Sequence, residues 1–525
     1  MREKDRQSPC IPCYAPKVVA GTTAIVVVFS SATGFLGHVS LGGLDPRFLA
    51  VTGTAAVIGA LLYSLNVALG AQWVLGQVCF SAYVWAPLLV LACLRLSQRF
   101  WAGAAAGAVA GLMVHYGVHY FVVYVLLLCG LLTVALACQQ RAWRALGRFG
   151  GLFLLSFLFV AGVRLLPMLA VIHDFPRLMA PPFALDGNAL WHMFFVPSLG
   201  PVRVVLRIFV GQTGYQLTSM ETASYVGVVT LGLALYSLRR GVRFFHLGAL
   251  LSFLLLLGNY QPWHLSRWLS QLPPFDSMWV VTRWRLVVVA CVGFAAAAAL
   301  DAILQWAQTG GPPRRRLVAL LAWAAPVEIV ALLLPSWAAT VAPYRDRPVS
   351  RAELHLPQTP ALIALQGLRQ RSQQARIFFS LFRSNIGAAE GYDPLFGYRP
   401  AASARTYVGH PRYRGEAVVA GRAVEPQLWS PNRLRFAGLP PGQMLELNLN
   451  PGRGWRLNGS PLFGGHRTFE LASPFLVRVP QTGVVDLRYT PPGLHGGALL
   501  SLLGGLGLLG CWMVRRTLGR RASGR

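Results

Sequence analysis

The stretch YFVVYVLLLCGLLTVALAC, from Tyr120 to Cys138, decides the fold class of this protein. It contains no charged residue, and a transmembrane helix needs about 20 consecutive, predominantly apolar residues to cross the hydrocarbon layer. Arginines follow it at once, at positions 141, 144 and 148. Basic residues in a short loop mark the cytoplasmic side of a membrane. The stretch therefore predicts a membrane helix that ends at the cytoplasmic surface.

Comparable apolar runs recur along the chain. Of its 525 residues, 54% are hydrophobic and 12% are charged, whereas soluble domains have about 25% charged residues. This composition excludes a disordered chain, argues against a soluble enzyme and predicts a polytopic α-helical membrane protein. We expect about eleven spans, near residues 18–36, 48–68, 76–94, 101–118, 120–138, 149–171, 222–238, 244–258, 283–304, 317–335 and 495–514.

The strong positive charge fits this class. The chain has 47 Lys and Arg against 18 Asp and Glu, a formal net charge of +29. Basic residues that flank apolar spans hold them in register with the membrane. Because no basic tract is interleaved with stacking aromatic residues, we expect membrane lipid and not nucleic acid as a partner.

Basic loops also predict the topology. Loops with arginines at 141–148, 239–243 and 314–316, and the tail 515–525, are assigned to the cytoplasm. Alternation then places 173–221, 259–282 and 336–494 outside. Counting back puts the basic tail 1–17 outside as well, against the positive-inside rule. We therefore expect either that 18–36 does not span or that a preceding helix is missing.

Residues 336–494 differ from the rest of the chain. Their apolar runs are short, and the segments RLRF at Arg433, MLELNLN at Met444, FLVRVP at Phe475 and VVDLRY at Val484 have the pattern of strands. We predict an extracytoplasmic β-rich domain here, between a multi-span membrane domain over 18–335 and a final transmembrane helix over 495–514.

Several motifs, in a consistent order, resemble YfhO-type bacterial membrane proteins of the GT-C glycosyltransferase superfamily. They are GQVCFSAYVWAPLLVLACLR at Gly76, ETASYVGVVTLGLAL at Glu221, LPPFDSMWVVTRWRL at Leu272, GYDPL at Gly391, SPNRLRF at Ser430, NPGRGWRLNGS at Asn450 and FLVRVPQTGVVDLRYTPPGLHGG at Phe475. The resemblance implies a GT-C-like fold in the bacterial cytoplasmic membrane, with the first helix and its catalytic loop missing. It also implies transfer of a sugar from a polyprenyl-phosphate donor to an extracytoplasmic glycan or envelope acceptor.

Two other functions stay open. A truncated, non-catalytic relative would bind lipid-linked sugar or an envelope polymer. A lipid or glycan transporter is the third hypothesis, although no inverted repeat is visible. The lipid-linked sugar would be the donor, no other cofactor is expected, and the need for a divalent metal is left open.

Glycosyl transfer needs a general base, and external carboxylates are scarce. Glu221 and Asp276 are the catalytic candidates. Glu221 opens a helix, so capping of that helix is the favoured alternative. Asp276 follows a Pro-Pro pair, and a turn role is as plausible as a functional one.

Four further residues are candidates for substrate binding. Arg283 and Arg285 could grip a lipid phosphate or snorkel to headgroups. His119 pairs with His115, for which an interfacial role is favoured over a metal site, so we predict no metal ligands. Glu328 lies inside an apolar span, where an ionisable residue marks a functional site or a helix–helix lock. Arg164 is its candidate partner.

Overall fold

The structure is a computed structural model that describes a large part of the chain. The described residues are 82–83, 85–96, 101–116, 120–174, 187–195, 224–240, 243–258, 265–272, 275, 281–308, 312–345, 362–363, 387–388, 411–430, 432–449, 452–462 and 475–523. Their helices are α1 (Ala86–Leu94), α2 (Ala102–Tyr116), α3 (Tyr120–Gln140), α4 (Trp143–Asp174), α5 (Gly187–Phe195), α6 (Val228–Ser237), α7 (Arg243–Leu256), α8 (Leu265–Leu269), α9 (Arg285–Gln308), α10 (Pro312–Arg345) and α11 (Leu494–Ser523).

Three helices of this part are long and apolar enough to cross a membrane. They cover Phe121–Gln140, Trp143–Ala170 and Thr282–Ala307. Shorter apolar helices lie at Ala102–Tyr116, Val228–Ser237, Phe244–Leu256 and Leu494–Gly507. The long helices indicate a multi-pass membrane protein, as the composition predicted. The spans expected at 18–36 and 48–68 lie outside the described residues, and the orientation stays a prediction.

Several helices differ in length from the predicted spans. The helices α4 and α11 are longer than the runs 149–171 and 495–514, and two further differences affect the organisation of the chain. The run 222–238 becomes a helix only at Val228, and the preceding residues 224–227 are buried but have no regular secondary structure. The run 317–335 lies within α10, which extends from Pro312 to Arg345 and so passes the expected start of the β-rich domain. The chain divides into two compact units. The first contains Met1–Phe157, Pro182–Gln271 and Val280–Thr340, and the second Leu158–Pro181, Leu272–Trp279 and Val341–Arg525.

In the first unit, α6 and α7 pack against α9, and α1 packs against α2 and α3. Glycines set the contact between α2 and α4. A Cβ at Gly103 would meet the backbone of Phe149, and one at Gly107 the backbone of Phe153. Small residues four apart allow two membrane helices to approach this closely, as expected for the Gly- and Ala-rich run that begins at Trp101.

The second unit contains the predicted β-rich region. Its strands are β1 (Leu362–Ile363), β2 (Gly387–Ala388), β3 (Ala417–Val419), β4 (Arg422–Ala423), β5 (Leu428–Ser430), β6 (Arg433–Phe436), β7 (Met444–Leu447), β8 (Trp455–Leu457), β9 (Ser460–Pro461), β10 (Phe475–Arg478) and β11 (Val485–Tyr489). β1 and β2 form a short parallel pair. The others form two antiparallel sheets, with strand orders β10-β7-β3-β4 and β5-β6-β11-β8-β9.

The two antiparallel sheets share one hydrophobic core. Alternation along each strand turns one side chain in two inward, so β6 buries Leu434 and Phe436 while β10 buries Phe475 and Val477. The strands predicted near Arg433, Met444, Phe475 and Val484 are thereby confirmed.

The last helix, α11, packs against the second half of α4 within the same unit. A Cβ at Gly497 would meet the backbone of Gly162, and one at Gly504 the side chain of Phe159. The backbone N–H of Val163 donates to the hydroxyl of Ser501 at 3.1 Å. The β-rich region is therefore followed directly by a helix that has its own helical partner.

Candidate functional site

Two arginines lie buried where α9 begins. The chain enters this helix through one 3-10 turn, Val281–Trp284, so Arg283 and Arg285 stand on either side of Trp284. Arg283 is 6% exposed and Arg285 is 0% exposed. Nη1 of Arg285 donates to the carbonyl oxygen of Thr282 at 3.3 Å. A snorkelling arginine extends its charge into water, so this burial argues for a role inside the protein.

The tryptophan of this arginine turn takes part in an aromatic stack. Trp284 stacks on Tyr124 of α3, with ring centroids 3.7 Å apart and planes inclined by 12°. One turn earlier on α3, Phe121 contacts Tyr83, with centroids 4.8 Å apart. All four rings are buried. Charges interact more strongly in such surroundings than in water. Because a planar guanidinium matches the geometry of phosphate oxygens, the turn has the chemistry of an anion site.

A second arrangement forms around Glu328 of α10. Its Oε1 accepts hydrogen bonds from the hydroxyl of Tyr225, at 2.5 Å, and from the backbone N–H of Val228, at 2.7 Å. Its Oε2 accepts from the N–H of Val229 at 3.0 Å. The first N–H groups of a helix have no partner within that helix, and a carboxylate there also complements the helix dipole. Glu328 therefore caps α6 from a neighbouring helix.

Gly227 explains why the cap comes from elsewhere. It is the N-cap residue of α6, with φ +85° and ψ +139°, and has no side chain to offer. A Cβ at this position would lie 3.1 Å from Oε2 of Glu328 and 3.3 Å from Oγ1 of Thr230. The other end of α6 is also held from outside, since Nε2 of His246 lies 2.8 Å from the carbonyl oxygen of Ala234. This short helix is thus tied at both ends by its neighbours.

The Glu328 contacts are those of a helix–helix lock. Its hydrogen-bond partners belong to residues 225–229. Arg164, the partner suggested by the sequence, is exposed on α4. Tyr225 and the non-helical segment 224–227 before α6 were missed by the sequence analysis. The signal available for them was the Gly227 inside a predicted span.

A buried acid in α9 was also missed. Asp301 is 3% exposed, and its Oδ2 accepts a hydrogen bond from Nε2 of Gln305 at 2.7 Å. An acidic residue within the predicted span 283–304 was the available signal, by the same reasoning that singled out Glu328.

Three of the predicted site residues, Glu221, Asp276 and His119, lie outside the described residues. Among the residues that the structure describes, no group of His, Cys, Asp and Glu side chains could hold a metal ion. The other three predicted site residues, Arg283, Arg285 and Glu328, are described by the structure.

No protein-family model matches this chain, and comparisons with curated proteins and with solved structures give no match.

Proposed function

We propose that this protein is an integral-membrane glycosyltransferase with a GT-C-like arrangement of about eleven spans. It transfers a sugar from a polyprenyl-phosphate donor to a glycan or other envelope acceptor outside the cytoplasm. The observation that carries the proposal is the buried arginine turn at the start of the candidate span Thr282–Ala307. The phosphate of a lipid whose chain lies in the membrane is found at the end of such a span.

The chemistry assigns a role to each charge. The acceptor hydroxyl oxygen attacks the anomeric carbon while a carboxylate takes its proton. The bond from that carbon to the phosphate oxygen breaks, and its electron pair leaves with the polyprenyl phosphate. Arg283 and Arg285 stabilise the negative charge that grows on this leaving group. Fixed donors in an apolar site do this well because they need not reorganise during the reaction.

The remaining candidates have supporting roles in this proposal. Asp276 or Glu221 serves as the base, with Asp276 close in sequence to the arginine turn. His119 contacts the substrate, and Glu328 holds α6 in place. The β-rich domain lies on the extracytoplasmic side and meets the acceptor. No divalent metal is assigned a role.

The test is transfer of labelled sugar by the purified chain in nanodiscs, with a panel of polyprenyl-phosphate sugars and a cell-envelope fraction as the acceptor. Arg285→Gln should lower kcat roughly 100- to 1,000-fold, the usual cost of losing one such donor. Arg285→Lys keeps the positive charge but loses the planar guanidinium, which can donate two parallel hydrogen bonds. It should therefore retain part of the activity.

Arg239→Gln is the matched control, because Arg239 is exposed and its loss changes the net charge equally. Its activity should equal that of the unmodified protein. Full activity of Arg285→Gln would overturn the assigned role. A chain that binds the donor through Arg285 but transfers no sugar would be the non-catalytic relative.

A further inference from the structure

One face of the five-stranded sheet carries a row of arginines. Arg433 of β6 is directly opposite Arg488 of β11, and Arg488 is directly opposite Arg456 of β8. Neighbouring strands are about 4.8 Å apart, so this arginine row is about 10 Å long. All three side chains point away from the shared core, and Arg456 and Arg488 are exposed.

A single carboxylate holds two members of the row. Asp486 of β11 accepts two hydrogen bonds from Arg433, each 2.9 Å long, and two from Arg488, of 3.3 and 3.1 Å. Arg435, directly opposite Asp486, adds a further positive charge to the face. The side chain of Arg456 makes no hydrogen bond or ion pair in the part of the chain that the structure describes. Like charges placed directly opposite in a sheet are destabilising, so this face carries an excess of positive charge at a cost to folding.

The arginine row lies at the end of the sheet that leads to the final helix. β11 ends at Tyr489, one residue after Arg488, and α11 begins at Leu494. Between them, Gly493 packs against the backbone of Leu166 in α4.

Leu166 fixes the level of that contact relative to the membrane. It lies in the candidate span Trp143–Ala170, about 12 Å before Asp174, where α4 ends. The link at Gly493 is thus level with the last two turns of this apolar helix. Arg488 is separated from Gly493 by at most about 17 Å of chain, and the headgroup layer adds about 5–8 Å to the hydrocarbon surface.

We infer that the arginine row docks on the anionic phospholipid headgroups of the leaflet that α11 enters. Arginine forks bind phosphate oxygens in pairs, and adjacent forks at Arg456 and Arg488 can share one phosphate. The excess charge that the sheet cannot neutralise is then compensated by the lipid. This role is independent of glycosyl transfer and of the direction in which the chain crosses the membrane.

A lipid surface fits better than a soluble polyanion because of the short link to α11. The link keeps the row beside the same leaflet, where the local concentration of headgroups is high and binding is effectively intramolecular. A soluble polymer would have to diffuse to the same face in competition with those headgroups.

The test uses the full chain in phosphatidylcholine nanodiscs that contain a phosphatidylglycerol probe with a photoreactive headgroup. After illumination, mass spectrometry of chymotryptic peptides maps the labelled strands. We expect labelling on β8 and β11, and little labelling there by a phosphatidylcholine probe of the same design. Each arginine near an anionic surface contributes about a fivefold preference. The double variant Arg456→Gln, Arg488→Gln should therefore lose at least about fivefold of this labelling.

The matched control is the double variant Arg422→Gln, Arg478→Gln. It removes the same charge from exposed positions of the other sheet and should label like the unmodified chain. Equal labelling by the two lipid probes would overturn the inference, as would an equal loss in both double variants. Binding of polygalacturonate that depends on Arg456 and Arg488, without lipid labelling, would show that the face takes a soluble polyanion instead.

Discussion

Replacing Glu328 by leucine should destabilise the helical unit, because three donors lose a charged acceptor at once. Loss of a helix cap costs about 0.5–2 kcal/mol, and a hydrogen bond to a charged group contributes about 1.5–3 kcal/mol. Val228 is 67% exposed, so its N–H can find another partner more easily than the buried Tyr225 hydroxyl. We therefore expect Glu328→Leu to lower the free energy of unfolding by about 2–5 kcal/mol.

The assay is unfolding of the purified chain by sodium dodecyl sulfate in mixed micelles, followed by helix content. Glu328→Gln keeps one carbonyl acceptor and should cost about half as much as leucine. Tyr225→Phe removes only one hydrogen bond and should cost about 1.5–3 kcal/mol. Because the two side chains are hydrogen-bonded to each other at 2.5 Å, the double variant Tyr225→Phe, Glu328→Leu should cost less than the sum of its two single variants.

The control is Glu446→Gln, which makes the same change as Glu328→Gln but on the exposed face of β7. It should leave the free energy of unfolding unchanged. The reasoning is refuted if Glu328→Leu is as stable as the unmodified protein. Strict additivity of Tyr225→Phe and Glu328→Leu would also refute it, since the hydrogen bond between these side chains would then contribute nothing.

Three further predictions concern packing, backbone conformation and pH. Gly107→Leu should separate α2 from α4 and lower the free energy of unfolding by about 1–3 kcal/mol. Gly130→Leu should not, because a Cβ at that position meets open space. Thermal unfolding in detergent compares the two variants. Gly227→Ala should cost about 1–3 kcal/mol because only glycine adopts its φ of +85° without strain, which the same measurement checks. Hydrogen bonds from Arg433 hold the pKa of Asp486 below its ordinary 3.8. The stability that this pair contributes should be complete above about pH 4 and lost as the pH falls through the lowered pKa of Asp486. Asp486→Asn should remove this pH dependence. Unfolding of the β-rich region at each pH is measured by tryptophan fluorescence.

The local sequence pattern predicted the helices and strands well, because the spacing of apolar residues in an element depends only on the residues of that element. The uncharged run from Tyr120 lies in α3, and the alternating RLRF and FLVR segments are strands β6 and β10. The stripe of Gly and Ala after Trp101 also packs closely, as small residues in a membrane helix predict.

Contacts between distant residues could not be predicted in this way. The late start of α6 depends on Glu328, 100 residues further along the chain, and nothing near Gly227 in sequence reveals that partner. Hydropathy treats residues 224–227 as part of a span, although they are not helical. In the same way, the burial of Arg285 depends on tertiary packing, and sequence alone left snorkelling open.

The glycine contact between α4 and α11 has a consequence for how the chain can be assembled. Residues 158–174 belong to the first half of the polypeptide, yet the surface that Gly162 presents matches Gly497 near the other terminus. A gene divided between the codons for Arg345 and Arg412 would therefore encode two fragments that still carry the two complementary surfaces of this helix–helix contact. Co-expressed in one cell, those fragments should associate through the contact between α4 and α11 and be purified together.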